Sequence, residues 1–136
     1  MNDCVFCKLV RKELPTHTVL ETETMLAFLD RSPIRPGHLL VVPKKHAPDI
    51  FGLDEGTYLD LMATVRRVAS AVDKFSRPKR MGLLVAGWDV PHAHVHVVPL
   101  QDYHDLTSKR ILEGNRENPA DVELTLAAEG IRAALG

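Results

Sequence analysis

The chain has 136 residues, 45% hydrophobic and 26% charged, which is one domain of ordinary globular sequence with enough apolar material for a core. This balance excludes a disordered tail, a collagen-like repeat and a disulfide scaffold. Seventeen Lys and Arg against eighteen Asp and Glu leave a net charge of −1, so no basic field is available for nucleic acid or an anionic membrane surface. A small anionic ligand stays open, because a few local donors suffice for it.

Cys4 and Cys7 form a C-x-x-C near the start. Asp3, Lys8, Arg11, Lys12 and Glu13 break up Met1–Leu14, so no secretory leader is read there. The apolar runs Leu39–Pro43 and Met81–Gly87 are too short to span a bilayer. The expected location is the cytoplasm, where a C-x-x-C is more often metal-binding or redox-active than a disulfide. Zinc takes four N or S ligands, so two thiolates would need two partners from elsewhere. A reduced, metal-free pair is the alternative.

Thr18–Glu21 reads as a short strand. Met25–Asp30 and His38–Pro43 read as a hairpin around a Pro/Gly turn. Tyr58, Leu61, Met62, Val65, Val68, Ala69, Val72 and Phe75 recur at helical spacing, which predicts a helix over Asp54–Phe75 with Asp54 as N-cap. Met81–Ala86 and His92–Leu100 read as further strands. Asn118-Pro119 opens a last helix whose Ala120, Leu124, Ala127, Ile131 and Ala134 share a face. The order predicts an α+β domain with a mainly antiparallel sheet.

The strongest pattern is Pro91-His92-Ala93-His94-Val95-His96-Val97-Val98-Pro99. On a strand, alternation places the three imidazoles on one face. A single metal for all three is disfavoured, since at about 3.3 Å per residue His92 and His96 stand roughly 13 Å apart. Adjacent imidazoles offer N–H donors to one phosphate, and neutral imidazole is available as a nucleophile at pH 7. Asp30 closes an apolar strand, where a carboxylate suits ribose hydroxyls, although a turn aspartate reads the same way.

C-V-F-C-K, A-F-L-D, P-G-H-L-L-V-V-P-K-K-H and V-P-H-A-H-V-H-V-V-P, in that order from Cys4 to about Leu100, resemble the histidine-triad (HIT) family of nucleotide hydrolases and transferases. The resemblance implies an α+β meander with a five-stranded antiparallel sheet, one long helix and a helical C-terminal tail. It divides the chain into a HIT core over 1–100 and an extension over 101–136 packed on the same domain. It makes His94 the nucleophile at the α-phosphate of a nucleotide, with His96 and His38 holding phosphate oxygens and Asp30 the ribose. Val5, Phe6, Phe28 and Leu40 would line the base pocket, with Asp89 and Val90 at its edge. In zinc-bearing branches the ligands would be Cys4, Cys7, His46 and His92. Many members are homodimers with joined sheets.

The family's usual Gly-Gln-Ser/Thr-Val before the triad here reads Gly87-Trp88-Asp89-Val90, and a usual asparagine is Ala86. A carboxylate beside a phosphate repels it unless protonated, paired or turned away, so Asp89 bears on the leaving group. The activity implied is release of a nucleoside monophosphate from a nucleoside phosphoramidate or dinucleoside polyphosphate. The alternatives are a nucleotide-binding or scaffolding module with little turnover and, further off, a hydrolase using the triad as metal ligands.

Overall fold

Met25–Leu29 and Leu39–Pro43 are apolar and buried at every position, a pattern suited to strands covered on both faces. In the computed structural model, which describes residues 3–107 and 118–136, they are β2 and β3 of a five-stranded sheet. β1 is Thr18–Glu21, β4 Arg80–Leu84 and β5 Val95–Leu100. The spatial order is β1-β2-β3-β5-β4 and every neighbouring pair is antiparallel. The five-stranded antiparallel sheet and the helical tail agree with the expected fold.

The alternation of strand side chains divides the sheet into two faces. Met25, Ala27, Leu29, Leu39, Val41, Val95 and Val97 belong to the main core. That core is closed by α2 (Glu55–Ser76), which buries Leu61, Val65, Val68 and Val72. Asp54 caps α2, accepting from Thr57 N–H at 3.1 Å, and Arg77 ends it in the left-handed region at φ 47°. Leu26, Phe28, Leu40 and Val42 point the other way, against Phe6 and Leu9 of α1 (Val5–Val10). The candidate site residues gather on this second face.

The tail helix, α3 (Asp121–Leu135), packs on α2 and β1 and places Leu124, Ala128 and Ile131 in the main core. Burying Leu124 and Ile131 contributes about 1.5–3 kcal/mol each. Gly130 lets α3 close on α2, because a Cβ there would stand 2.2 Å from the Phe75 ring. Gly130→Ala is therefore expected to lower stability by about 1–2 kcal/mol despite the better helix propensity of alanine. Shortening Phe75 to leucine in the same chain should recover part of the loss in thermal melts; equal melting of wild type and Gly130→Ala would contradict this.

The strand read over Met81–Ala86 runs over Arg80–Leu84, and the helix read from Asn118-Pro119 begins at Asp121. Two further differences bear on the site. Val5–Val10 is helical where no element was expected, with Cys4 as its N-cap. The strand expected over His92–Leu100 begins only at Val95. β3 ends at Pro43, which has no N–H to continue the ladder, and its carbonyl is taken by the His92 ring. Ala93 N–H bonds instead to Ala47 O at 2.7 Å. Of the three imidazoles, only that of His96 is carried by the strand.

Candidate functional site

The bend between Pro91 and Val95 sends neighbouring histidines to different partners. His92 is fully buried, and its Nε2–H donates to Pro43 O at 2.8 Å, which leaves Nδ1 with its lone pair. That lone pair faces His46 Nδ1 at 3.2 Å, Cys4 Sγ at 3.3 Å and Cys7 Sγ at 3.5 Å; Cys7 Sγ lies 3.4 Å from His46 Nδ1. A tetrahedron with Zn–S near 2.3 Å and Zn–N near 2.0–2.1 Å has edges of roughly 3.3–3.8 Å, so the four atoms sit close to its corners. Burial, followed by the neighbouring Cys4, pushes the Cys7 thiol up, and burial pushes the His92 imidazole down. These shifts favour the neutral Cys7 thiol and the neutral His92 imidazole, and a divalent cation would reverse this for the thiol. Cys4, Cys7, His46 and His92 thus form a donor set that fits zinc.

His94 is buried, and its Nδ1 lies 2.7 Å from His92 O. The carbonyl can only accept, so Nδ1 carries the proton and Nε2 is left with its lone pair. The sequence could not name this acceptor. The Phe6 ring packs against the His94 ring in a T-shaped arrangement at a centroid distance of 5.1 Å.

His96 and His38 form a second pair, His38 Nε2 to His96 Nδ1 at 2.9 Å. Ile34 N–H donates to His38 Nδ1 at 3.0 Å, so neutral His38 carries its proton on Nε2 and donates it to His96 Nδ1. His96 then bears its own proton on Nε2. Asp30 Oδ2 stands 3.5 Å from His38 Nε2 and 4.0 Å from His96 Nδ1, and its Oδ1 accepts from Ser32 N–H at 2.8 Å. Asp30, His38 and His96 are close enough together to suggest a metal site. The Ile34 N–H argues against one, because it occupies the His38 nitrogen that would have to take up the displaced proton.

A cleft of about 510 Å³ opens over this face. Phe6, Phe28 and Leu40, with Val5 and Val90, give it an apolar floor. Asp30, Asp89, His94 and His96 supply its polar side. His38, expected on the phosphate, is only 1% exposed and stands behind His96 rather than in the cleft wall. Leu9, Leu14, Pro15, Thr16 and Arg31 also line the cleft and were not expected there. Only Arg31 had a sequence signal, as a cation directly following Asp30. Trp88 is 91% exposed.

Another unforeseen group is Asp105, whose side chain is 1% exposed. It takes a two-pronged bond from Arg35, Nε to Oδ2 and Nη2 to Oδ1, both at 2.9 Å. Its Oδ2 also accepts from Gln101 N–H and Asp102 N–H. Burial raises its pKa, but these donors more than offset that and the net shift is downward.

The HIT domain model matches residues 11–103, and the chain belongs to the HIT family. An adenosine 5'-monophosphoramidase of Schizosaccharomyces pombe is 35% identical over 101 residues, which are 71% of this chain and 73% of that one. An adenylylsulfatase of Arabidopsis thaliana is 32% identical over 74% of this chain, and the match spans about half (54%) of the plant protein. Among solved structures, a zinc-bound histidine triad family protein of Mycobacterium smegmatis superposes with a TM-score of 0.80 at 28% identity, covering 98% of this chain and 94% of that one. Among the described residues, no helix is long and apolar enough to cross a membrane.

Proposed function

We propose that the protein is a nucleotide hydrolase that cleaves at the α-phosphate of a nucleoside phosphoramidate or dinucleoside polyphosphate and releases a nucleoside monophosphate. The observation that carries this reading is His94 in the cleft with Nδ1–H held by the His92 carbonyl, which leaves the lone pair on Nε2. The phosphoramidase and adenylylsulfatase relatives support it, since both names describe cleavage beside a nucleotide phosphate.

In the first step His94 Nε2 attacks the α-phosphorus. A P–N bond forms, the bond to the leaving group breaks with its pair, and a departing amine takes up a proton from solvent. In the second step water attacks the phosphorus and gives up a proton to solvent, the P–N bond breaks with its pair returning to Nε2, and His94 is regenerated with the nucleoside monophosphate free. His96 Nε2–H is the donor for the charged phosphoryl oxygens, supported from behind by His38. Asp30 would accept from the ribose hydroxyls, and Val5, Phe6, Phe28, Leu40 and Val90 would hold the base. Asp89, at the edge, would weigh against strongly anionic leaving groups.

Zinc held by Cys4, Cys7, His46 and His92 would supply folding free energy, and no step is assigned to it. β4 ends the sheet, and Leu83 on it and Leu59 on α2 are exposed, which supports a homodimer through this edge. Residues 1–100 are read as the HIT core and 101–136 as an extension of the same domain, supported by the packing of α3. The free Cys4 and Cys7 suit a reducing, cytoplasmic setting.

The test is product analysis with an adenosine phosphoramidate and with diadenosine tri- and tetraphosphate, joined to rapid quench and mass analysis. AMP release, together with an adenylate adduct on His94, is the expected result. Binding of AMP with no product from any of these compounds would favour the nucleotide-binding module.

A further inference from the structure

The Arg35–Asp105 pair lies apart from the cleft, yet it reaches two of the segments that shape it. β3 and β5 are antiparallel, with Leu39 opposite Val97 and Leu40 opposite His96, so the entry to β3 adjoins the exit of β5. The chain entering β3 makes a turn in which Arg35 O accepts from His38 N–H at 3.0 Å and Ile34 N–H donates to His38 Nδ1. The chain leaving β5 turns around Asp105, which gathers Gln101 N–H and Asp102 N–H. The guanidinium of Arg35 joins one turn to the other through two parallel bonds of 2.9 Å. A two-pronged pair with one fully buried partner fixes orientation as well as distance, which a lysine cannot do. Asp105 also lies beyond the stretch matched by the family model, which ends at residue 103.

We propose that Arg35 and Asp105 are a positioning pair, which holds the Ile34–His38 turn so that Ile34 N–H keeps neutral His38 in its Nε2–H form and His96 presents Nε2–H to the cleft. Neither residue lines the cleft. The link to catalysis rests on the reading of His96 as a phosphate donor. The position of the His38 proton is set by Ile34 N–H whether or not a nucleotide binds. If the turn shifts, His38 Nδ1 loses its fixed donor and the proton distributes between the two ring nitrogens. In the other tautomer His38 Nε2 becomes an acceptor, and His96 must turn its own proton toward it and away from the cleft.

The experiment uses two variants, Arg35→Lys, which keeps the charge and removes the fork, and Asp105→Asn, which keeps the shape and removes the charge. Long-range proton–nitrogen correlation spectra read the His38 tautomer without any substrate. Wild type is expected to show Nε2–H alone, and both variants a mixture. With an adenosine phosphoramidate as probe, kcat is expected to fall roughly tenfold while KM stays within about twofold, as for a misaligned catalytic group. If Asp105→Asn does not fold, Arg35→Lys decides alone. Variants that melt earlier yet keep the wild-type tautomer and kcat would overturn the proposal, leaving the pair a structural brace. If wild type itself turns over nothing but the tautomer mixes in the variants, the hydrolase reading fails and the positioning of His38 holds.

Discussion

His94→Asn is expected to reduce turnover by at least about a thousandfold while leaving the fold and nucleotide binding in place. The asparagine amide can stand near the position of Nδ1 and donate to the same His92 carbonyl, so the bend before β5 keeps its hydrogen bond. What disappears is the Nε2 lone pair, and with it the P–N intermediate. Steady-state kinetics beside a direct binding measurement with AMP separate the two effects. A variant that retained a tenth of the wild-type rate would show that water attacks the phosphorus directly and that His94 is not the nucleophile.

If the Cys4, Cys7, His46 and His92 cluster holds zinc, removal of the metal is expected to act on stability first. A site saturated at a thousand times its dissociation constant stabilises the folded state by about 4 kcal/mol. For a domain of this size that is roughly 10–15 °C in Tm. Chelation, or Cys7→Ser, should therefore lower Tm by about that amount, with zinc restoring the chelated wild type and not the variant. Acid acts in the same direction. Burial holds the His92 imidazole below its usual pKa of 6.5, so the unfolded chain takes up a proton that the folded site refuses. That stability is present above 6.5 and is lost as the pH falls from there through the folded-state value. Well below the lowered Tm, the chelated protein should still hydrolyse the nucleotide. Immediate loss of activity at constant Tm would instead make the histidines ligands of a catalytic metal.

The contrast between local and distant information explains what could be read from the chain. The wholly apolar Leu39–Pro43 run and the helical spacing from Tyr58 to Phe75 carry their own periods, and the strands and α2 follow from them. His94, His96, Asp30 and the apolar floor of the cleft were visible, because their types and spacing resemble a family pattern, while Leu9, Leu14, Pro15, Thr16 and Arg31, which belong to no motif, were not. The proton positions were not, since they depend on carbonyl and N–H groups that no side-chain pattern encodes. His92 O and Ile34 N–H are the examples. The departure of His92 and His94 from the strand was hidden for a related reason. Alternation fits a strand, but Pro43 in the neighbouring strand ends the pairing. Arg35 and Asp105 are 70 residues apart, and neither sits in a motif.

One peptide link has a thermodynamic consequence. The His92 ring belongs to the zinc-type cluster while its carbonyl orients the His94 imidazole, and Ala93 between them is buried and tied to Ala47. The two sites therefore share one peptide link, and any coupling between them is reciprocal. If loading the cluster with metal tightens the hold on a nucleotide by some factor, a bound nucleotide must tighten the hold on the metal by the same factor. Metal availability and substrate supply would then be read by one molecule as a single coupled signal.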